Sequence, residues 1–316
     1  MKILTTKQCK KFLDLATDKT AQYLKKNSLR GISLGISGGI DSAIVSVIGL
    51  KAIKKLKSEG YDTGYDYVFL NCDSDPLDKE KAELLAKKFN FKLRYLDLTK
   101  WYEASPLLKS IPLEHPRAKI AQGNIKCRLR MISLYDSAQL NGYICLDTDD
   151  LSEEYMGFWT RHGDEGDVKI IQHLTKTELH DLGEYLNIPL AILNSQPGDG
   201  LKVSVKNIAE DQLGLPYIYI EFIISEMVRS GFNCNGNQVQ LRDEKYIKEI
   251  EKISKKIDKP FGVIKKILEQ SLKTAFKRKY GNTVKHLLPN RTEFGFIDFG
   301  TEEFAKKQLE AIKKYE

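Results

Sequence analysis

The sequence lacks the marks of several protein classes. It contains no run of about 18 apolar residues, so no membrane-spanning helix is predicted. Residues 1–15 mix lysines with polar residues and include no apolar core of a secretory signal, so export is not expected. The five cysteines are scattered without a C-x-x-C pair, which argues against a zinc site and a disulfide framework. These features favour a reducing, cytoplasmic compartment.

Signals of nucleic-acid binding are also weak. The net charge of +7 is modest for 316 residues, and much of it lies in lysine-rich helical stretches such as 51–57 and 248–259. We interpret these stretches as solvated helix faces, because no arginine-rich arm or basic strip with interleaved aromatic residues is present. Nucleic acid is therefore the minority interpretation, and a phosphate-rich small substrate suits the same basic surface.

The most informative segment is a glycine turn between an apolar run and a helical pattern. It reads Leu34-Gly35-Ile36-Ser37-Gly38-Gly39-Ile40-Asp41-Ser42. Glycine lets the backbone approach a ligand, and a helix N-terminus offers unpaired N–H groups to an anion. Asp41 would repel a bare phosphate, so a bridging cation is expected. The segment is neither a Walker loop nor a dinucleotide fingerprint. It predicts a polyphosphate site, with an ordinary strand-to-helix turn as the alternative.

Strands alternate with helices through most of the chain. The strand patterns cover residues 31–36, 67–70, 92–98, 143–146 and 169–171. The helical patterns cover residues 5–26, the stretch after the glycine turn, 78–89, 124–140 and 177–186. This alternation predicts an α/β fold with a doubly wound parallel sheet and a helical C-terminal part. No linker divides the chain, so we expect one domain over residues 1–289 and a tail extension over 290–316.

Three loops follow the carboxyl ends of the predicted strands, where such sheets bind ligands. They are the glycine turn and the acid-rich segments 71–75 and 147–153. The two acid-rich loops suggest contacts to ribose, base or metal, although Asp73 and Asp75 could equally form a plain turn or helix cap. Residues 194–205 form a loop with proline and glycine that could cover a bound nucleotide.

The glycine turn resembles the Ser-Gly-Gly-x-Asp-Ser signature of the PP-loop ATP pyrophosphatases. Further segments, in the same order, resemble the ammonia-dependent NAD synthetases: 123–132, 147–153, 157–164, 174–178 and 209–215. The resemblance implies a Rossmann-like fold of the adenine nucleotide alpha hydrolase type. It also implies ATP, deamido-NAD and ammonia as substrates, Mg²⁺ as cofactor and a homodimer. The implied reaction adenylates the nicotinate carboxylate, and ammonia then displaces AMP.

The resemblance also assigns roles to individual residues. The implied ATP-binding set is Gly35, Ile36, Ser37, Gly38, Gly39, Ile40, Asp41, Ser42, Thr148 and Lys176. The implied deamido-NAD-binding set is Arg128, Arg161, Asp167, Lys285 and His286. Asp41 and Glu153 are the implied magnesium ligands, and Asp41 and Lys176 the implied catalytic residues. Arginine suits two-pronged binding of a pyrophosphate or carboxylate, and lysine suits a phosphate.

The sequence departs from the family pattern in several places. Asp147 replaces a usual glycine, Asp150 an asparagine or histidine, and Arg161 a lysine. The Gly-Asp-Gly-Gly loop has become residues 163–166, and the tail after residue 289 is longer than expected. Asp147 is expected to bring an extra negative charge near the phosphates unless it binds a second cation. No room is apparent for an amidase domain, so free ammonia is the expected nitrogen source.

Alternatives to this interpretation remain open from the sequence. Another PP-loop enzyme, such as a tRNA-thiolating enzyme or a tRNA-lysidine synthetase, would use the same adenylation on a nucleic-acid base, and another carboxylate could be the acceptor. A decayed active site that only binds nucleotide is the non-enzymatic alternative. Apolar residues of the helix over 124–140, among them Ile132 and Leu134, serve a core or a dimer interface equally well.

Overall fold

A parallel sheet of six strands organises the computed structural model, which describes residues 2–198, 201–203, 209–279, 285–288 and 290–315. The strands run in the order β3-β2-β1-β4-β5-β6, and every adjacent pair is parallel. Their bounds are β1 (Gly31–Gly35), β2 (Gly64–Asn71), β3 (Leu93–Asp97), β4 (Tyr143–Asp147), β5 (Val168–Lys169) and β6 (Lys285–His286). The predicted doubly wound parallel fold is confirmed.

Helices fill most of the remaining chain. They are α1 (Thr6–Lys26), α2 (Ile40–Ser58), α3 (Pro76–Phe89), α4 (Thr99–Ala104), α5 (Pro106–Lys109), α6 (Ala118–Asn141), α7 (Leu151–Met156), α8 (Lys176–Tyr185), α9 (Leu190–Leu193), α10 (Ala209–Leu213), α11 (Tyr217–Arg229), α12 (Glu244–Ile257), α13 (Phe261–Lys273), α14 (Ala275–Lys279) and α15 (Glu302–Tyr315). Short 3-10 turns occur at Gln238–Arg242 and Arg291–Phe294.

Side chains of the central strands alternate between two helical layers, as the period of a strand requires. Tyr67 and Phe69 of β2 join the core formed with α1, α2, α3 and α8. Val68 and Leu70 join a second core formed with α4 and α6. Both faces of the sheet are therefore covered. This explains why the central strands read as apolar runs.

A third core lies in the C-terminal part, where α7 and α10 to α13 pack together with α15. Residues 290–315 contribute to more than one core. Phe294 and Phe296 pack with α1, and Ala305 and Ile312 pack with the third core. The division at residue 289 remains a prediction.

The helix predicted over 124–140 starts earlier in the structure, at Ala118. It ends at Asn141, and the following Gly142 takes the left-handed conformation typical of the residue that caps a helix C-terminus. Arg117 precedes the helix without a side-chain capping bond, so no capping residue marked its start. No helix in the described part of the chain is both long and apolar enough to cross a bilayer.

Candidate functional site

The glycine turn after β1 is already shaped as a compact loop. The Ser37 backbone N–H donates to Ser42 Oγ at 3.1 Å, and Ser42 Oγ donates to the Gly39 carbonyl at 3.1 Å. Gly38 has a φ of +87°, and a Cβ there would lie 2.5 Å from the backbone oxygen of Asp78. Only glycine fits such a position without strain. The loop therefore leads directly into the N-terminus of α2, and helix N-termini are suited to binding anions.

Lys176 lies at the centre of a cluster of carboxylates. Its Nζ is 2.8 Å from Asp41 Oδ1, 2.8 Å from Asp150 Oδ2 and 3.0 Å from Glu153 Oε1. Asp41 belongs to the first turn of α2, Asp150 caps α7, which carries Glu153, and Lys176 begins α8. The structure thus brings together three residues that the sequence singled out, and it adds Asp150. We call these four residues the Lys176 cluster.

Burial governs the protonation of this cluster. Lys176 is 3% exposed and Asp150 is fully buried. Burial raises the pKa of Glu153 well above its usual value, and repulsion from Asp150 adds to the shift while Lys176 opposes it. Burial alone would lower the pKa of Lys176, but the three carboxylates raise it well above its usual value. The ammonium group is therefore charged throughout the physiological range, and it offsets carboxylates that would otherwise be expensive to bury.

A second buried lysine balances the rest of the acid-rich loop. Lys169 is 2% exposed, and its Nζ lies 3.4 Å from Asp149 Oδ2. Asp147 accepts hydrogen bonds from the backbone N–H groups of Asp149 at 2.8 Å and Gly166 at 3.0 Å. Burial raises the pKa of Asp147 to about 7, against the opposing effect of Lys169. Two backbone donors and the nearby charge of Lys169 therefore partly offset the negative charge expected at Asp147.

The two arginines assigned to the substrate come from different segments that meet. Arg128 Nε donates to the backbone carbonyl of Arg161 at 3.3 Å, which joins α6 to the turn before β5. Asp167 Oδ2 accepts from the Cys145 backbone N–H at 2.8 Å, so this oxygen is used within the sheet. Thr148 follows β4 and is half-buried.

Lys285 and His286 form β6 beside β5. The His286 ring contacts the His173 ring edge to face, with centroids 6.2 Å apart. Burial lowers the pKa of His286. The side chain of Lys285 lies outside the described part of the structure. The substrate roles of both residues stay predictions.

Asp73, in the second acid-rich loop, is more than a turn residue. Its Oδ2 lies 2.7 Å from Lys126 Nζ, and its Oδ1 lies 2.6 Å from Lys202 Nζ. Arg130 fixes the same loop by donating to the Leu70 carbonyl at 3.3 Å and to Ser74 Oγ at 3.2 Å. The predicted covering loop over 194–205 is therefore anchored to Asp73 at Lys202. Residues 199, 200, 204 and 205 lie outside the described residues.

Sequence reasoning missed two cations of α14. Lys277 Nζ donates to the carbonyls of Gly157, at 2.6 Å, and Trp159, and it lies 4.8 Å from the centroid of the Trp159 ring. Burial lowers the pKa of Lys277. Arg278 donates to the carbonyls of Glu154 and Tyr155, both at 2.9 Å. Carbonyl partners leave no trace in residue types, so only the adjacent Lys-Arg pair itself could have drawn attention.

With this geometry in place, known proteins offer a comparison. The sequence model of the NAD synthase family matches residues 13–280. The chain belongs to the NAD synthase family. It is 35% identical over 199 residues to the NH₃-dependent NAD⁺ synthetase of Syntrophomonas wolfei subsp. wolfei, covering 62% of this chain and 76% of that protein. It is 33% identical over 231 residues to the enzyme of the same name from Finegoldia magna, covering 73% of this chain and 87% of that protein.

A solved structure also resembles this chain in fold and sequence. The NMN synthetase of Francisella tularensis aligns with a TM-score of 0.57 and 28% identity, covering 68% of this chain and 83% of that chain. The family match confirms the resemblance drawn from the glycine turn and the ordered segments. It ends at residue 280, so residues 290–315 of this NAD synthase family member lie beyond it.

Within the described residues, no group of three or more His, Cys, Asp or Glu side chains is arranged to hold a metal ion. The carboxylates of Asp41 and Glu153 are hard oxygen donors of the kind that Mg²⁺ prefers, and both lie beside the glycine turn. Two carboxylates are enough for an ion that takes its remaining ligands from phosphates and water. The residues present therefore fit a magnesium site, and that assignment stays a prediction.

Proposed function

We propose that this protein is an NAD synthetase that uses ATP to amidate deamido-NAD with ammonia. One observation carries the proposal. In this chain, which belongs to the NAD synthase family, the glycine turn and the Lys176 cluster lie side by side at the carboxyl ends of β1 and β4. A preformed anion loop next to a buried cation suits the cleavage of a polyphosphate.

The reaction takes place in two displacements. A nicotinate carboxylate oxygen attacks the α-phosphorus of ATP, the bond from that phosphorus to the β-phosphate oxygen breaks, and pyrophosphate leaves. Ammonia then attacks the carbonyl carbon of the acyl-adenylate, AMP leaves, and one proton is lost. Adenylation is needed because a free carboxylate repels nucleophiles and has no good leaving group.

The protein contributes mainly position and charge. The N–H groups of the glycine turn and the Lys176 ammonium would stabilise the leaving pyrophosphate. Asp41 and Glu153 would hold Mg²⁺, which supplies positive charge to the polyphosphate when bound. Arg128 and Arg161 would bind the pyrophosphate or carboxylate of deamido-NAD. Lys176 would then exchange carboxylate partners for a phosphate oxygen.

We also propose a homodimer and a cytoplasmic location. Ile132 and Tyr135 lie one helical turn apart on α6, and both are exposed, Ile132 by 57%. Leu134 of the same helix is buried in the core. The helix thus presents a separate apolar face that a second copy could cover. The free cysteines at scattered positions support a reducing compartment.

The test is a single reconstitution with ATP, MgCl₂, deamido-NAD and ammonium chloride. We expect NAD, AMP and pyrophosphate in equal amounts by chromatography, and no NAD without ammonium. Since one solved relative is an NMN synthetase, a parallel reaction replaces deamido-NAD with nicotinate mononucleotide, and a faster reaction there would overturn the acceptor. Absence of AMP with every carboxylate offered would favour the decayed nucleotide-binding module. Tight, steeply salt-dependent binding of tRNA would favour the RNA-modifying alternative.

A further inference from the structure

Residues 290–315, which lie beyond the family match, contact the start of α8 through a buried ion pair. Arg291 donates to both carboxylate oxygens of Glu178, at 2.8 Å and 2.6 Å. Glu178 is the third residue of α8, and its Oε2 also accepts from the Thr175 backbone N–H at 2.9 Å in a capping box. Arg291 is 6% exposed and Glu178 1% exposed. A two-pronged, buried pair of this kind fixes geometry as well as charge.

Arg291 is itself held in place from several sides. Its guanidinium donates to the carbonyls of His173 and Ile297, the latter at 2.7 Å from Nη2. It also lies over the rings of Phe296 and Phe304, with distances of 5.7 Å and 5.6 Å to their centroids. These contacts leave the guanidinium few alternative positions. The ion pair therefore ties the start of α8 to a rigid part of the C-terminal segment.

A second connection runs through Glu221 of α11, which is 2% exposed. Gln308 Nε2, from α15, donates to Glu221 Oε2 at 2.6 Å. Glu221 Oε1 accepts from Ser152 Oγ at 2.7 Å and from the Thr177 backbone N–H at 3.2 Å. Ser152 Oγ in turn accepts from the backbone N–H of Lys176 at 3.0 Å. Ser152 and Thr177 are the chain neighbours of Glu153 and Lys176, the two residues that meet in the cluster.

We propose that Arg291 and Gln308 are positioning residues, and that the C-terminal segment holds the first turns of α7 and α8 so that Lys176 and Glu153 meet at the glycine turn. The inference rests on the proposed role of Lys176 in ATP binding. It gives residues 290–315 a role in positioning Lys176 and Glu153, although these residues lie beyond the family match at residues 13–280. We call residues 290–315 the brace.

The brace matters because the chemistry tolerates little displacement. Three carboxylate contacts at 2.8 to 3.0 Å define the position of the Lys176 ammonium. Misplacing a reacting or charge-stabilising group by about 1 Å can cost on the order of a hundredfold in rate. Loss of a buried partner that orients such a group costs about 10- to 100-fold in comparable metal sites. We expect the brace variants to fall in that range.

The experiment uses the full-length protein with Gln308→Leu and Arg291→Met, and Arg291→Lys as the conservative variant. Lys313→Ala, at an exposed position of α15, is the matched control. Hydrogen exchange read by mass spectrometry reports the amides of residues 174–180 directly. We expect faster exchange at Lys176 and Thr177 in Gln308→Leu and Arg291→Met, partial recovery in Arg291→Lys, and no change in Lys313→Ala.

Two functional readouts accompany the exchange data. Calorimetry with Mg²⁺ and α,β-methylene-ATP, which resists cleavage, should show binding weakened about tenfold in Gln308→Leu. In the turnover assay, kcat should fall about 10- to 100-fold while KM for deamido-NAD stays within about twofold. A purely structural segment would lower the unfolding temperature without changing kcat per folded molecule.

The outcomes separate this inference from the proposed function. If the wild-type protein forms no AMP, the proposed function fails, but exchange and analogue binding still judge the brace. A folded Gln308→Leu variant whose hydrogen exchange and analogue affinity equal those of the wild-type protein would overturn the inference. This holds even if the wild-type protein proves to be a fully active NAD synthetase. If Arg291→Met does not fold, Gln308→Leu alone decides, because it removes one neutral donor while Glu221 keeps its hydrogen bonds from Ser152 and Thr177.

Discussion

Replacing Lys176 by methionine should destabilise the protein in a way that depends on pH. The methionine side chain fills the same space, so the main change is loss of the ammonium from among the carboxylates of Asp41, Asp150 and Glu153. Removing one partner from a buried ion pair typically costs about 3–5 kcal/mol, because the remaining charge stays buried without compensation. At about 2 °C per kcal/mol for a chain of this size, the unfolding temperature should fall by roughly 6–10 °C at pH 8.

The sign of the pH dependence follows from the direction of the pKa shifts. The pKa values of Asp150 and Glu153 are raised in the folded protein, so stability linked to them is present at low pH and is lost as pH rises through those values. Without the ammonium the carboxylates shift further upward, and this loss grows. Lys176 itself, with its pKa raised above 10.5, is charged throughout. The destabilisation should therefore be large at pH 8 and small at pH 5.

Thermal unfolding followed by circular dichroism at pH 5, 6.5 and 8 measures both effects. Lys2→Met is the matched control. Lys2 pairs with Glu184 of α8, the helix that begins at Lys176, but both side chains of this pair are 53% exposed. An exposed pair contributes about 0–1 kcal/mol, so this control should hardly move the unfolding temperature. A Lys176→Met variant that loses equal stability at every pH, or none, would refute the assignment of buried, ionised carboxylates to this cluster.

Three further predictions test other parts of the structure. Gly38→Ala should lose more stability than Gly60→Ala, by at least about 1 kcal/mol in thermal unfolding: both have positive φ, but a new Cβ at Gly60 meets nothing, whereas one at Gly38 meets a backbone oxygen at 2.5 Å. Asp41→Ala should abolish AMP formation while leaving the circular dichroism spectrum unchanged, and AMP at the wild-type rate would contradict the metal assignment. Ile132→Glu should shift a dimer toward monomer in sedimentation, while Leu190→Glu, at an apolar position of α9 that is even more exposed (71% against 57%), should not.

Much of the fold was predictable because its signals are local. Alternation of apolar strands and helical patterns depends only on neighbouring residues, and it located β1, β2 and β4 within a few positions. The start of α6 was placed too late because Arg117 offers no capping side chain. The strand β6 was not anticipated, since two residues are too few to show a period of two.

In the candidate site, too, the residues of a local sequence signature could be predicted and the long-range contacts could not. Gly38 and Asp41 belong to one contiguous signature, so their proximity could be read from the sequence. Resemblance to a family supplied Lys176 and Glu153, and the structure places both against Asp41. The supporting contacts were out of reach, because pairs such as Gln308 with Glu221 join single polar residues 87 positions apart. Nothing in the local pattern of either residue marks a partner at that distance.

The acid-rich loop shows how the chain accommodates a departure that looked unfavourable. The resemblance to the family leads us to expect glycine at the position of Asp147, next to the proposed phosphate site, and the charge of this residue alone would oppose binding. In the structure, two lysines divide the carboxylates of this loop. Lys169 compensates Asp147 and Asp149 on one side, and Lys176 compensates Asp150 on the other.

Asp147 and the glycine turn therefore interact with different lysines, Asp147 with Lys169 and the glycine turn with Lys176. Asp147 already accepts two backbone N–H groups, and its pKa of about 7 means that it is partly protonated near neutral pH. Its field at the glycine turn is weakened further by the ammonium of Lys169. Lys176 is thereby left to the carboxylates that can exchange it for a phosphate. The departure at Asp147 is thus compatible with ATP binding without a second metal ion.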